Sequence, residues 1–338
     1  MAKEKVIIGQ VGLGKWGKNL FRNYFSLPDC QIKYSCDNNV NQLEKFSKEY
    51  PSVSFTADYN EILNDREVAA VVVATPAPGH YEVAKKCLES GKHVFVEKPI
   101  TLDLGEATQL VQLAKQNKKK LMVGHLLLYH PAISELKRLI ESGELGDIYY
   151  IYTQRLNLGT IRQSENVLWS LAPHDISVIL YLTKKIPERL TALGASFVQP
   201  GIEDVAFINM RFASGEVGHI HVSWLDPTKT RKTIVVGSKK MAIFDEISSR
   251  DNLTLYDKGV DIKPEFKTFE EFLNLRFGEG KTIKISNEEP LQRECRHFIE
   301  CVKGDKEPMS NGENGVEVLS VLTAAEKSLR KGGESELL

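Results

Sequence analysis

The hexapeptide Gly12-Leu13-Gly14-Lys15-Trp16-Gly17 stands between an apolar, strand-like run, Lys5–Val11, and a segment with helical spacing from Lys15 to about Phe25. That setting limits the fold severely. In a strand–turn–helix, G-x-G-x-x-G uses its first glycine for the tight turn and its third for close packing of helix on strand. Its second lets main chain approach a pyrophosphate, which then meets unpartnered amide hydrogens at the positive end of the helix. The segments downstream repeat one plan. Gln31–Cys36, Ser52–Phe55, Val68–Ala74, His93–Val96 and Leu121–Gly124 read as further short strands, and Leu43–Tyr50, Tyr81–Ser90 and Leu104–Gln116 as helices. Apolar strands alternating with helices imply a doubly wound parallel sheet, covered on both faces.

An acid, Asp37, closes the second strand, where a carboxylate can accept from adenosine ribose hydroxyls and repels a 2′-phosphate. Asn38 and Asn39 come next, with no Arg or Lys to receive a phosphate, so NAD is expected and NADP is disfavoured. Gly12, Gly14, Lys15, Trp16, Gly17 and Asp37 are the first candidate cofactor residues. Ala74-Thr75-Pro76-Ala77-Pro78-Gly79-His80 ends the fourth strand and opens a helix; Thr75, Pro76 and His80 join the candidates there. Glu97-Lys98-Pro99 ends the fifth strand and aims a lysine out of the sheet edge, where open α/β sheets bind ligands. Its X-Pro bond also makes a cis peptide possible.

At 338 residues the chain suggests two domains, here 1–124 and 125–338. After Gly124 the pattern changes. Pro131 to Glu141 reads as a helix ending at Gly143. Ile148–Leu156, Leu190–Val198, Val205–Phe212, Glu216–Trp224, Thr233–Val236 and Met241–Phe244 then alternate as in a mostly antiparallel sheet with one face more exposed. Pro290–Val302 and Val316–Leu329 are amphipathic, and are expected to return to the first domain. A formal net charge of -1 gives no sign of nucleic acid or an anionic membrane as partner. Five scattered cysteines without a CxxC pair, an N-terminus lacking a signal-peptide pattern and no span-length apolar run point to a cytoplasmic protein.

Taken in order, the glycine turn, Ala74-Thr75-Pro76 with His80, Gly91-Lys92-His93-Val94, Glu97-Lys98-Pro99 and Pro173-His174-Asp175-Ile176 resemble the Gfo/Idh/MocA oxidoreductases. The resemblance covers nearly the whole chain. It implies a Rossmann domain, a second α/β domain whose large sheet serves a homodimer or homotetramer, and NAD-dependent oxidation of a CH-OH group. It also implies catalytic roles for Lys98, near nicotinamide and the reacting carbinol, and for His174, as proton donor or acceptor. Glu97 and Lys98 are added to the cofactor residues on the same ground. One departure stands out: many members carry an Asp four residues before that histidine, and here the position is Ser170. Histidine titrates near neutrality, and desolvation beside a cationic ring lowers a lysine pKa, so either group could take the proton.

Arg155-Leu156-Asn157-Leu158-Gly159-Thr160-Ile161-Arg162, running on to Trp169, offers guanidiniums suited to a diphosphate or carboxylate, an amide, and an indole able to stack on a ring. Tyr129, Arg155, Asn157, Arg162 and Trp169, with Lys98 and His174, are the candidate substrate residues. The stretch looks most like that of nucleotide-sugar members, implying oxidation of the 3-hydroxyl of a substrate such as UDP-N-acetylglucosamine. A free polyol or sugar dehydrogenase resembling inositol dehydrogenase, and a catalytically silent NAD-bound sensor, are the alternatives. His125 and His130 lack a carboxylate at ligand spacing, and His219 and His221 share a strand face, so no metal is assigned.

Overall fold

The computed structural model describes residues 5–248, 252–262, 273–304 and 306–338. The start of the chain, on which the reading of the N-terminus rests, lies outside them. Two compact units result: Met1–Tyr129 with Glu288–Leu319, and His130–Asn287 with Ser320–Leu338.

The first unit holds β1 (Val6–Val11), β2 (Cys30–Cys36), β3 (Ser54–Thr56), β4 (Ala70–Val73), β5 (His93–Glu97) and β6 (Leu121–Gly124). All pair in parallel, in the order β3-β2-β1-β4-β5-β6. β4 is buried along its whole length, as a central strand covered on both faces must be. The helices include α1 (Gly17–Ser26), α2 (Val40–Glu49), α3 (Asn60–Asn64), α4 (His80–Glu89) and α5 (Leu104–Gln116). α2 and α5 start on side-chain caps: Asn39 accepts from the Gln42 amide, and Asp103 from that of Glu106. In register, Val11 lies opposite both Cys36 and Val73, Val73 opposite Val96, and Glu97 opposite Gly124. The carboxyl ends of five strands therefore fall along one edge. The order reverses there between β1 and β4, the place where such sheets take ligands.

The second unit begins with α6 (Pro131–Glu141) and β7 (Ile148–Leu156), followed by α7 (Val167–Thr183). Then come β8 (Arg189–Ala195), β9 (Val205–Arg211), β10 (Val217–Ser223), β11 (Thr230–Gly237), β12 (Met241–Asp245), β13 (Leu253–Ile262) and β14 (Leu273–Thr282). A two-residue strand, β15 (Glu336–Leu337), closes the sheet. The order is β14-β13-β12-β11-β7-β10-β9-β8-β15. Every pairing is antiparallel except β7 with β10, which run parallel, so the sheet is mixed rather than purely antiparallel. One face packs on α7 through Ala206, Ile208 and Met210 of β9 and Ile220 and Val222 of β10. The other exposes an aromatic row in which Phe207 stacks on His221, with centroids 4.3 Å apart, and Tyr152 lies 5.1 Å from His219.

Two helices complete the chain, α8 (Pro290–Lys303) and α9 (Gly312–Arg330). α8 packs on α1 within the first unit, with Leu291, Cys295, Phe298 and Ile299 buried. α9 begins in the first unit and ends in the second. Among the described residues no helix is long and apolar enough to cross a membrane, and all five cysteines are buried free thiols.

Candidate active site

The glycine turn sits on the carboxyl edge of the first unit's sheet. Gly12 has φ +102°, and a Cβ there would drive into the main chain at Ala74 and Thr75. Only glycine serves, and its absent side chain brings the ends of β1 and β4 together. α1 starts without a side-chain cap, and its first turn closes on the loop: the Lys18 amide donates to the Gly14 carbonyl at 3.2 Å and the Asn19 amide to that of Trp16 at 2.8 Å. Asp37 closes β2 with both carboxylate oxygens in use: Oδ2 accepts from the Leu13 amide at 2.6 Å and Oδ1 from the Asn39 amide at 2.8 Å. A helix N-terminus, a strand-end carboxylate and a turn with three glycines form a cradle that fits a dinucleotide. Lys15 and Trp16 are exposed on the rim.

Thr75 and Pro76 follow β4 beside Gly12. His80, at the head of α4, is turned inward: Nδ1 lies 2.7 Å from the Pro99 carbonyl and Nε2 2.9 Å from that of Thr75. Burial pushes the ring below its usual pKa, against the pull of both carbonyls, and the Lys98 charge adds to the lowering. What the structure gives His80 is a place between the two loops, where the neutral ring donates to one of the two carbonyls. Glu97 ends β5, its Oε1 accepting from the Trp16 indole at 2.7 Å and its Oε2 from the Lys98 amide at 3.2 Å. Lys98 is half-buried beside it, before a cis Lys98-Pro99 bond. Tyr129 is buried, its hydroxyl 2.9 Å from that of Ser310.

The remaining candidates belong to the second unit. His174 is half-buried on α7, whose first turn is capped by Asn166 accepting from the Trp169 amide at 3.1 Å. Pro173 before it has no N–H to offer the Trp169 carbonyl, and Ser170 is buried one turn earlier. Next to His174, Asp175 is buried against Arg155, which donates from Nε at 2.8 Å and from Nη2 at 3.4 Å. Glu246 lies 3.6 Å from the same guanidinium. Burial drives the Asp175 carboxyl above its usual range although Arg155 opposes it. Arg155 thus has two carboxylates of its own domain as partners. Asn157 accepts from Arg231 at 2.7 Å, Arg162 pairs with Glu165 at 3.0 Å on the surface, and the Trp169 indole donates to Glu326 at 3.1 Å. Among the described residues no three His, Cys, Asp or Glu side chains gather as a metal set.

Residues 6–125 match the oxidoreductase family described as having an NAD-binding Rossmann fold, and residues 133–243 match the GFO/IDH/MocA C-terminal domain. The chain belongs to the GFO/IDH/MocA oxidoreductase family. Its relatives include a scyllo-inositol 2-dehydrogenase (NAD(+)) of Bacillus subtilis strain 168, 27% identical, with 95% of this chain and 93% of that protein covered. A UDP-N-acetylglucosamine 3-dehydrogenase of Acidithiobacillus ferrooxidans is 24% identical, with 92% and 93% covered. Among solved structures, a protein of Magnetospirillum magnetotacticum MS-1, solved as a candidate oxidoreductase, superposes with a TM-score of 0.82. It is 28% identical and covers 95% of this chain and 100% of its own.

Two supports of the GFO/IDH/MocA glycine turn escape the motif. Gln10 is buried in β1, and its amide nitrogen donates to the Gly12 and Gly17 carbonyls, each at 2.8 Å. Gln42 of α2 donates to the Leu13 carbonyl. A glutamine inside the apolar run Val6-Ile7-Ile8-Gly9-Gln10-Val11 was the available signal, since a buried amide needs partners. Gln42 had none, being one polar residue on a polar helix.

Proposed function

We propose that this oxidoreductase oxidises a secondary hydroxyl of a sugar or polyol with NAD, in the cytoplasm, and that Lys98 and His174 are its catalytic residues. The observation that carries the reading is Lys98: half-buried at the carboxyl end of β5, beside a turn that fits a dinucleotide. Gly12, Gly14 and Gly17 would let the diphosphate approach, with Lys15, Trp16, Thr75 and Pro76 around it and His80 and Glu97 bracing from behind. Asp37 would meet the ribose hydroxyls. Its carboxylate at the end of β2 supports NAD over NADP, because a 2′-phosphate would meet a like charge.

When bound, the dinucleotide supplies the hydride acceptor. The chain's own residues must handle the proton. In this reading Lys98 donates a hydrogen bond to the substrate oxygen and positions it, while His174 accepts the hydroxyl proton as the carbonyl develops. Lys98→Met is expected to abolish turnover while leaving NAD affinity within about twofold, the pattern of a group used in the transition state. Near wild-type turnover in that variant would end the assignment, and no NADH formation with any sugar or polyol would leave an NAD-bound sensor.

On substrate, Arg155 favours a free sugar or polyol. Its guanidinium pairs with Asp175 and Glu246, which leaves Arg162 as the exposed cation of the loop for a diphosphate. A scyllo-inositol dehydrogenase among the relatives agrees with this. The nucleotide-sugar reading retains Arg162, Asn157 and Trp169 and a UDP-N-acetylglucosamine 3-dehydrogenase relative, while Tyr129 is taken up by Ser310. Assaying the purified protein with NAD against myo- and scyllo-inositol, glucose, and UDP- and dTDP-sugars separates them. We further propose that the outward sheet face carrying Tyr150, Phe207 and Val217 joins copies of the chain into a dimer or tetramer.

A further inference from the structure

Phe95 of β5 packs against Tyr24 of α1 at 6.2 Å and Phe298 of α8 at 5.8 Å between ring centroids. Side chains two apart on a strand share a face, and residues four apart on a helix share a stripe. Glu97 and Glu294 therefore lie next along this aromatic wall, on β5 and α8 respectively. Glu294 is 0% exposed, and neither carboxyl oxygen has a partner among the described residues. An isolated buried carboxylate is very costly, so Glu294 is a neutral acid. Burial pushes it well above the usual carboxylate range, and the charge of Glu97 adds to that.

Glu97 has a different environment. At 8% exposed it accepts from Trp16 and from the Lys98 amide, and Gly124 opposite leaves it room, since a Cβ there would sit 2.9 Å from Oε1. Burial raises it to about 7, opposed by Trp16 and Lys98. The other titratable groups of the wall stay neutral: burial drives Tyr24 and Cys295 up, and His125 after β6, held by Asn314, down to about 4. Two carboxyls in one apolar wall do not both ionise, and Glu97 is the one that can.

We propose that Glu97 is a proton-linked tether on the glycine turn: ionised, it holds the Trp16 indole, and its charge favours the oxidised dinucleotide, whose ring is positive, over the reduced one. Glu294 is a positioning residue, the neutral acid that leaves Glu97 as the single charge of the wall. As pH rises through neutrality the ratio of NADH to NAD dissociation constants should rise, by about fivefold between pH 6 and pH 8 at an effective dielectric of about 20. The consequence for the cofactor rests on the proposed dinucleotide site; the tether itself does not.

Two measurements test this. In the protein without cofactor, the part of the tryptophan emission lost in Trp16→Phe should titrate near pH 7 and be flat in Glu97→Gln. Glu294→Gln, which keeps a neutral group, should leave that transition in place. A downward move of a pH unit or more in Glu294→Gln would show an ionised Glu294 and overturn its assignment, and a flat wild-type profile would overturn the tether. Dissociation constants for NAD and NADH from pH 6 to 8 then test the linkage: the ratio should climb in wild type and stay level in Glu97→Gln. A level ratio in wild type, with both cofactors bound, refutes the linkage. If neither binds, the dinucleotide reading fails instead, and the emission profile still decides the tether.

Discussion

Arg155→Leu separates a structural guanidinium from a ligand-binding one. Arg155 and Asp175 are 8% and 1% exposed and joined by hydrogen bonds of 2.8 and 3.4 Å, with Glu246 at 3.6 Å. Removing the cation leaves Asp175 buried without its partner, which costs about 3–5 kcal/mol. The attraction within the pair does not make it an asset to the same extent. Burial still drives Asp175 above its usual range with Arg155 in place, so desolvation outweighs pairing at that carboxyl. Replacing both charges by apolar side chains, Arg155→Leu with Asp175→Leu, should therefore recover stability to within about 1–2 kcal/mol of wild type. The assay is urea unfolding at pH 7 of wild type, both single variants and the double. Glu246 tempers the effect, because its exposed carboxylate can turn to water once Arg155 is gone. A single variant within about 0.5 kcal/mol of wild type, the range of ordinary surface substitutions, would refute the reasoning and return Arg155 to the role of a substrate cation.

The geometry sets three further outcomes. Glu97 has a folded pKa near 7 against 4.5 in the unfolded chain, so its contribution to stability is full below about pH 4.5 and is lost as pH rises through 7. Glu97→Gln should then raise the denaturation midpoint at pH 8.5 and leave it unchanged at pH 4, with an upper bound of about 3 kcal/mol; equal midpoint shifts at both pH values would contradict this. Asp37→Ser removes the acceptor of the Leu13 and Asn39 amides and should weaken NAD about tenfold while narrowing the gap to NADP, measured by fluorescence titration. Phe207→Asp, on the outward sheet face, should lower the mass seen by light scattering if that face joins copies of the chain; an unchanged oligomer places the contact elsewhere.

Local signals made much of this fold legible. Pro131–Glu141, Leu104–Gln116, Ile148–Leu156 and Leu121–Gly124 appear with the bounds their periodicity suggests, because each is bracketed by a cap, a proline or a glycine. β13 and β14 were not legible. Leu253–Leu255 and Leu273–Phe277 alternate only briefly before Asp257-Lys258-Gly259 and Gly278-Glu279-Gly280 interrupt them, so neither alternation runs the length of its strand. They are held at the sheet's outer edge by antiparallel pairing, β13 to β12 and β14 to β13. The parallel pairing of β7 with β10 was likewise invisible, since alternation is the same in either direction. At the site, glycines and strand-end acids announced themselves by position. The partners of Arg155 did not, because Asp175 and Glu246 lie 20 and 91 positions away in sequence and only folding brings them together.

The first unit is written in two pieces, and the second piece comes late. Its edge strand β6 is completed by residues 310 and 311: Ser310 accepts from the Val123 amide through its carbonyl and donates to the Val123 carbonyl through its hydroxyl, and Asn311 bridges Met122. On a ribosome adding about 5–20 residues per second, roughly 10–40 s separate Tyr129 from Leu319. Through that interval the sheet that bears the glycine turn exists without α8, and the faces of Tyr24 and Phe95 that meet Phe298 are uncovered. The nascent chain is thus exposed to aggregation at its first-made domain until α8 emerges, and a C-terminal truncation injures the N-terminal domain.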